Sequence, residues 1–178
     1  EEFRGFYYVI EEMNEVLRID HYYYQDAIRK GKEETTEIYD SSESVYQKME
    51  YQWDYTEQDE YAIVFLEQET KTLFNPADET EYKAATTSYM YDEYGNIERI
   101  SYNGDDNQEG DERSEEWEYI VNEDAWIINT PLQYTQYDKD GGCVRYEKVC
   151  VKQDQQCASW YNQTIYPPKY YNLEKTEE

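Results

Sequence analysis

Positive charge is scarce in this sequence. Sixteen Lys and Arg stand against 42 Asp and Glu, with a single His, for a formal net charge of -26. Recognition of nucleic-acid phosphates through a basic face is thereby excluded, and adsorption to an anionic membrane is opposed by the same charge. No run approaches the roughly 18 consecutive apolar residues of a spanning helix, so membrane insertion is not expected. No basic-then-apolar leader precedes Glu1, and the chain reads as a mature form or an excised segment. With one His, no Ser-His-Asp set can be placed, and neither a nucleophile nor a general base has a constellation behind it. The chain therefore reads as a non-enzyme without catalytic residues or cofactor. Paired carboxylates of glycosidase type depend on a separation that sequence spacing does not supply.

Aliphatic bulk is also thin. Leu, Ile, Val and Phe together number 28 of 178 residues, a share that at this charge usually signals disorder. The 23 Tyr and 4 Trp reverse that reading. Each buries a large ring while its polar tip still reaches a partner, and Tyr is favoured on pleated, half-buried surfaces. Composition thus points to a thin β-structure, with length for one domain or one segment of a larger protein.

The hydrophobic period agrees. From Val45 to Tyr55 the odd positions are apolar or aromatic except Gln47 and the even ones mostly polar, which predicts a strand with one buried and one wet face. The unalternating run 61–66 predicts a strand buried on both faces, ending before the Asn75-Pro76 turn signal. Further strands are expected around 85–91, 97–102, 116–121, 132–137 and 144–151. Between them, Asp92-Glu93-Tyr94-Gly95-Asn96 and Asp138-Lys139-Asp140-Gly141-Gly142 supply residues tolerant of positive φ and read as hairpin turns. Residues 103–116 read as a long acidic loop. Helix signals are weak: 11–19 has room for two turns, and 20–30 fits no template. The expectation is one all-β unit over 1–178, an antiparallel meander of hairpin strips with roughly eight to ten strands and little helix, its hairpins clearest over 85–151.

Site candidates are few. Asp105, Asp106 and Asp111 offer hard oxygen ligands suited to Ca²⁺, but without EF-hand spacing a solvated acidic loop is the plainer reading. Cys143, Cys150 and Cys157 match no zinc spacing. Cys150 and Cys157 flank a polar stretch and are candidates for a bridge across a hairpin. That pairing would leave Cys143 over, either for a bond between chains or as a free thiol. Asn162-Gln163-Thr164 is a sequon expected on a surface loop before Tyr166. His21 beside Tyr22, Tyr23 and Tyr24 reads as a packed or surface His, and the Tyr clusters there and at 170–171 as cross-strand packing.

The turn elements carry a likeness. Tyr91-Asp92-Glu93-Tyr94-Gly95-Asn96, followed by an alternating strand and Gly104, resembles the tyrosine-aspartate (YD) repeat of Rhs proteins, and Tyr137-Asp138-Lys139-Asp140-Gly141 is a looser copy. Glu2-Phe3-Arg4-Gly5-Phe6 resembles a signature in the middle region of the B component of bacterial insecticidal toxin complexes. In that family's order follow His21-Tyr22-Tyr23-Tyr24-Gln25-Asp26 with Lys30-Gly31, then Glu37-Ile38-Tyr39-Asp40 and the YD element. Gly110-Asp111-Glu112-Arg113, Asp124-Ala125-Trp126-Ile127 with Pro131, and Tyr166-Pro167-Pro168-Lys169 with Asn172-Leu173 complete it. The resemblance spans nearly the whole chain. It implies a secreted protein in which long hairpin strips wind into a hollow shell around a toxic polypeptide, this segment lying between a β-propeller and most of the YD repeats.

The function expected from these residues is a non-catalytic structural β-module that builds a shell or wall by strand pairing, its partners further copies of itself or the remainder of a larger shell protein. Flat strips expose unpaired main-chain edges that must pair onward. A subunit of an extracellular filament shares that premise. An acidic decoy or inhibitor that plugs a basic site follows from charge alone.

Overall fold

The structure, a computed structural model, describes residues 5–13, 17–57, 61–75, 78–123, 127–150 and 161–165. Among these lie eleven β-strands and no α-helix. The chain divides into two compact units, Glu1–Met90 with Tyr102–Asp111, and Tyr91–Ser101 with Glu112–Glu178.

The first unit is an antiparallel meander of β1 (Tyr8–Met13), β2 (Leu17–Tyr23), β3 (Glu33–Tyr39), β4 (Val45–Glu57), β5 (Ala62–Asn75) and β6 (Asp78–Tyr91). The second contains β8 (Arg113–Asn122), β9 (Ile127–Tyr137), β10 (Cys143–Cys150) and β11 (Tyr161–Ile165), again paired in chain order. Strand β7 (Ile97–Asp105) gives its first residues to the second unit and its last to the first. The all-β hairpin architecture read from the period of two is therefore what the chain adopts, and the signals at Asn75, Asp92 and Asp138 each fall at a strand end.

Register assigns the faces of the first unit. Tyr8, Ile10 and Glu12 share one face with Arg18, Asp20, Tyr22, Glu37, Lys48, Thr72 and Ala84, while Val9, Glu11, Ile19, His21, Thr36 and Met49 lie on the other. Neither face is dry. The one buried hydrophobic residue among those described is Ala84, and the other buried positions, Asp20, Thr36, Thr72, Ser114 and Thr135, are polar. Strand contacts among the described residues run between sequence neighbours. Cohesion thus comes from ladder hydrogen bonds and cross-strand pairs on each pleated face rather than from an apolar centre.

This corrects several expectations. Residues 61–66 are not buried on both faces: Tyr61 is 63% and Ile63 43% exposed, and Val64, Phe65 and Leu66 are half-buried, because no second layer of described residues covers them. The clean one-face burial expected over 45–55 holds only from Met49 to Asp54, since the earlier positions on both faces are half-buried and Tyr55 is exposed. The helical reading of 11–19 fails. Tyr8–Met13 and Leu17–Tyr23 are paired strands, and Tyr8 packs its ring on Tyr22 at a centroid distance of 5.0 Å. The acidic loop is shorter than 103–116, because β7 runs to Asp105 and β8 begins at Arg113. Asn162 lies in β11 opposite Val149 rather than on a surface loop.

Tyrosine replaces the missing cations. The hydroxyls of Tyr8, Tyr39, Tyr89 and Tyr94 donate to Asp20 (2.8 Å), Glu37 (2.6 Å), Glu69 (3.0 Å) and Glu123 (2.7 Å). A phenol satisfies a carboxylate without a positive charge, which suits a chain with so few basic residues. The bond to Glu123 pushes the Tyr94 hydroxyl up to about 12, and burial first, then the bond to Glu37, raises that of Tyr39. Tyr8, Tyr39 and Tyr94, all raised, remain donors at neutral pH. Four of the cations sit over rings, three of them while also paired with a carboxylate: Arg18, Arg29, Lys32 and Arg145 lie over Tyr39, Tyr24, Trp53 and Tyr134 at 4.2, 4.1, 4.5 and 5.6 Å from the centroids, and Arg18, Arg29 and Arg145 pair with Asp20, Asp26 and Glu147.

Candidate functional site

Three turns repeat one construction. Asp40, Asp92 and Asp138 each follow a Tyr, and each accepts at Oδ1 the N–H groups two and four residues on: Ser42 and Ser44, Tyr94 and Asn96, Asp140 and Gly142, at 2.7–3.1 Å. In each the third residue on donates its N–H to the aspartate carbonyl: Glu43 at 3.0 Å, Gly95 at 3.1 Å and Gly141 at 3.0 Å. That residue needs positive φ, with values of 60°, 82° and 77°. Asp92, Gly95, Asn96, Asp138 and Gly141 thus sit where the sequence placed them, in two turns with the same bonds. The third copy, at Asp40, is masked in the sequence because Glu43 occupies the glycine position. A Tyr-Asp pair followed by Ser42 and Ser44 was the signal that could have found it. Replacing Glu43 with Gly is expected to stabilise the chain by about 0.5–1 kcal/mol, the left-handed cost of a side chain less the extra freedom of Gly when unfolded. Urea unfolding of E43G measures it.

The edge of the first unit is built around a buried carboxylate. Asp20, with no exposed surface, receives Arg18 Nε at 2.8 Å, Arg18 Nη2 at 2.6 Å and the Tyr8 hydroxyl at 2.8 Å. Donation from Arg18, joined by Tyr8, outweighs desolvation and holds the Asp20 carboxyl below the usual carboxylate range. Arg18 and Asp20 are two apart and so lie on one face of β2, and Tyr8 reaches them from β1. On the opposite face His21 Nδ1 lies 2.5 Å from Glu33, which also accepts the Thr36 hydroxyl at 2.6 Å, and Nε2 lies 3.7 Å from Glu11.

Among the described residues no strand pairs with β1 on the side away from β2. The Tyr23 N–H donates to the Tyr7 carbonyl at 2.9 Å, which makes Tyr7, Val9 and Glu11 the positions bonded to β2. The main-chain groups of Tyr8, Ile10 and Glu12 are directed away from it. The side chains beside this edge are apolar and exposed: Tyr7 57%, Ile10 48%, Val9 38%. Below it, a recess of about 220 Å³ is lined by Glu12, Leu17, Arg18, Tyr39, Asp40, Ser41 and Glu43.

The other site candidates divide. Asp105 bonds the Asn107 N–H at 3.0 Å and pairs with Lys83 at 3.2 Å, Asp111 accepts the Asp105 N–H at 3.0 Å, and Asp106 donates its N–H to the Ala84 carbonyl at 2.8 Å. These contacts close a turn, and no group of three or more His, Cys, Asp or Glu converges on a metal position among the described residues. Gly104 stands close by with φ 66°, where an added Cβ would meet Asp111 Oδ1 at 2.0 Å. Cys143 is a free thiol bonded to the Arg145 carbonyl at 3.5 Å. Cys157, the side chain of Cys150 and residues 170–171 lie outside the described residues. What sequence reasoning missed is the trio Tyr8, Arg18 and Asp20. The period-two spacing of Arg18 and Asp20 was its only local trace.

No family model matches the chain, and no curated protein matches it. Among solved structures it is similar to a porin-like protein from Bacteroides uniformis, with 12% sequence identity and a TM-score of 0.33. The match covers 90% of this chain and 58% of that one, so the chain spans less than two thirds of that neighbour's length.

Proposed function

We propose that the chain is a non-catalytic structural β-module that continues into further strands, forming part of an extracellular wall or shell of the Rhs or toxin-complex kind. The observation that supports this reading is the border strand β1, with the main-chain groups of Tyr8, Ile10 and Glu12 directed outward between exposed apolar side chains. An edge of that kind is a template for another strand. The repeated Tyr-Asp turns at Asp40, Asp92 and Asp138 add to it, since one turn design used three times suits a strip extended by repetition.

The test is particle size. At a net charge of -26, copies repel at low salt. Sedimentation with electron microscopy is expected to show single copies at low salt and, at about 0.5 M salt where repulsion is screened, strips or hollow particles. Regular unbranched fibres would favour a filament. A monodisperse single copy at every salt concentration rejects the wall.

A further inference from the structure

We infer that β1 accepts an extended strand from a partner protein, apolar along most of its length and carrying a lysine or arginine at its N-terminal end. The inference rests on the strand-pairing reading and adds the chemistry of the incoming strand.

The first observation is the edge. Tyr8, Ile10 and Glu12 offer outward N–H and C=O groups, so main-chain bonds fix an added antiparallel strand, and Tyr7, Tyr8, Val9 and Ile10 present apolar neighbours on both faces. The second is the charge at one end of it. Glu11 and Glu12 follow Ile10, and the recess that Glu12 lines has two more acidic residues in its lining, Asp40 and Glu43, together with Leu17 and Tyr39. Its one cation, Arg18, is committed to Asp20.

An antiparallel strand seated on β1 places its first residue opposite Glu12. A long basic side chain there lays its stem on Leu17, the Tyr39 ring being already covered by Arg18, and its charge among Glu12, Asp40 and Glu43. A second copy brings the opposite chemistry to the same edge, because its β1 carries its own Glu11 and Glu12 and a like net charge. The two occupants therefore respond to salt with opposite sign: the basic strand leaves as salt rises, and a copy arrives.

The experiment is fluorescence anisotropy with a short dye-labelled peptide of alternating valine and threonine, amidated at the C-terminus and bearing an acetylated N-terminal lysine. The same peptide with glutamate in place of lysine is the control. The lysine peptide is expected to saturate the chain at low salt, and the glutamate peptide to bind about tenfold more weakly. Ile10→Pro removes an outward donor without breaking a bond to β2 and is expected to weaken binding by a similar factor. Glu12→Lys leaves Asp40 and Glu43 in the recess and is expected to shrink the preference for the lysine peptide to about threefold or less, with the glutamate peptide bound more tightly than by the parent, which loss of folding cannot do.

Equal binding of the two peptides by the parent, or an unchanged ratio between them in the Glu12→Lys variant, overturns the inference. So does self-association at high salt that Ile10→Pro abolishes with no peptide bound at low salt, since the occupant is then a second copy. Sedimentation of the same samples separates the two readings. A chain that assembles but ignores the peptide loses this inference alone, and one that binds the peptide yet stays single at every salt concentration loses the wall alone.

Discussion

Asp20→Ala is expected to lower stability by about 2–3 kcal/mol, which for a chain of this size is a fall of about 4–12 °C in the unfolding midpoint. The substitution removes the acceptor of three hydrogen bonds and leaves the Arg18 guanidinium and the Tyr8 hydroxyl with nothing in their place. The figure lies below the full cost of breaking a buried ion pair because the Arg18 side chain is 36% exposed, and water takes back part of its charge. Replacing both partners, Arg18→Met with Asp20→Leu, is expected to recover the chain to within about 1 kcal/mol, since no charge is then orphaned. Thermal and urea unfolding of the single and double variants provide the check. A single variant as stable as the parent would remove Asp20 from the list of groups that hold the edge together.

The same group sets an acid limit. Donation from Arg18 first, and from Tyr8, lowers the Asp20 carboxyl in the folded chain. A carboxyl held below its unfolded value contributes stability that is complete above that value, about 3.9, and is lost as pH falls through the folded value. The gap between parent and Asp20→Ala is therefore expected to be constant from neutral pH to about pH 5 and to close below about pH 4. Relief of carboxylate repulsion on acidification is common to both chains and cancels in the difference. Asp26 and Asp105, lowered chiefly by the main-chain N–H groups of Arg29 and Asn107, lose their contributions in the same window.

Asp92→Ala is expected to cost about 1–2 kcal/mol. Its carboxylate accepts the Tyr94 N–H at 2.9 Å, the Asn96 N–H at 2.8 Å and the Asn96 side-chain amide at 2.8 Å. That amide also donates to the Ile128 carbonyl at 2.7 Å, so the turn is tied to β9 through the residue that Asp92 orients. Asp138→Ala loses the two main-chain bonds only, in a more exposed turn, and is expected to cost about 1 kcal/mol. The double variant should show the sum, because the turns belong to separate hairpins. Asp92→Asn, which keeps an acceptor oxygen, is expected to recover about half the loss. Unfolding midpoints of the four chains test all of this together.

What was legible in the sequence followed the range of the forces involved. The turns at Asp92 and Asp138 were readable because their bonds close within four residues and their positive φ falls on Gly95 and Gly141. Strand β4 was readable because an alternating aromatic pattern has one pleated solution, β5 from an apolar run without alternation, and β6 to β10 from strand-like runs set between turn signals. Strands β1 and β2 were hidden because Glu11, Glu12, Leu17 and Arg18 are good helix formers, and helix propensity is a weak prior that pairing overrides. Strand β3 was seen only as a motif. The turn at Asp40 was hidden by one side chain, Glu43, standing where glycine belongs.

The sequence by itself determined that this chain is β-structured, acidic, tyrosine-rich and punctuated by aspartate turns, since composition, period and four-residue bonds are local properties. Tertiary structure alone decided which carboxylate among the described residues is buried and which described strand stands at the border of the first unit. Those outcomes depend on register between residues far apart in the chain: Tyr8 reaches Asp20 only after β1 and β2 pair, and the outward direction of Ile10 follows from the bond between Tyr23 and Tyr7. A shift of one residue would turn every one of these groups to the other face, which no local pattern records.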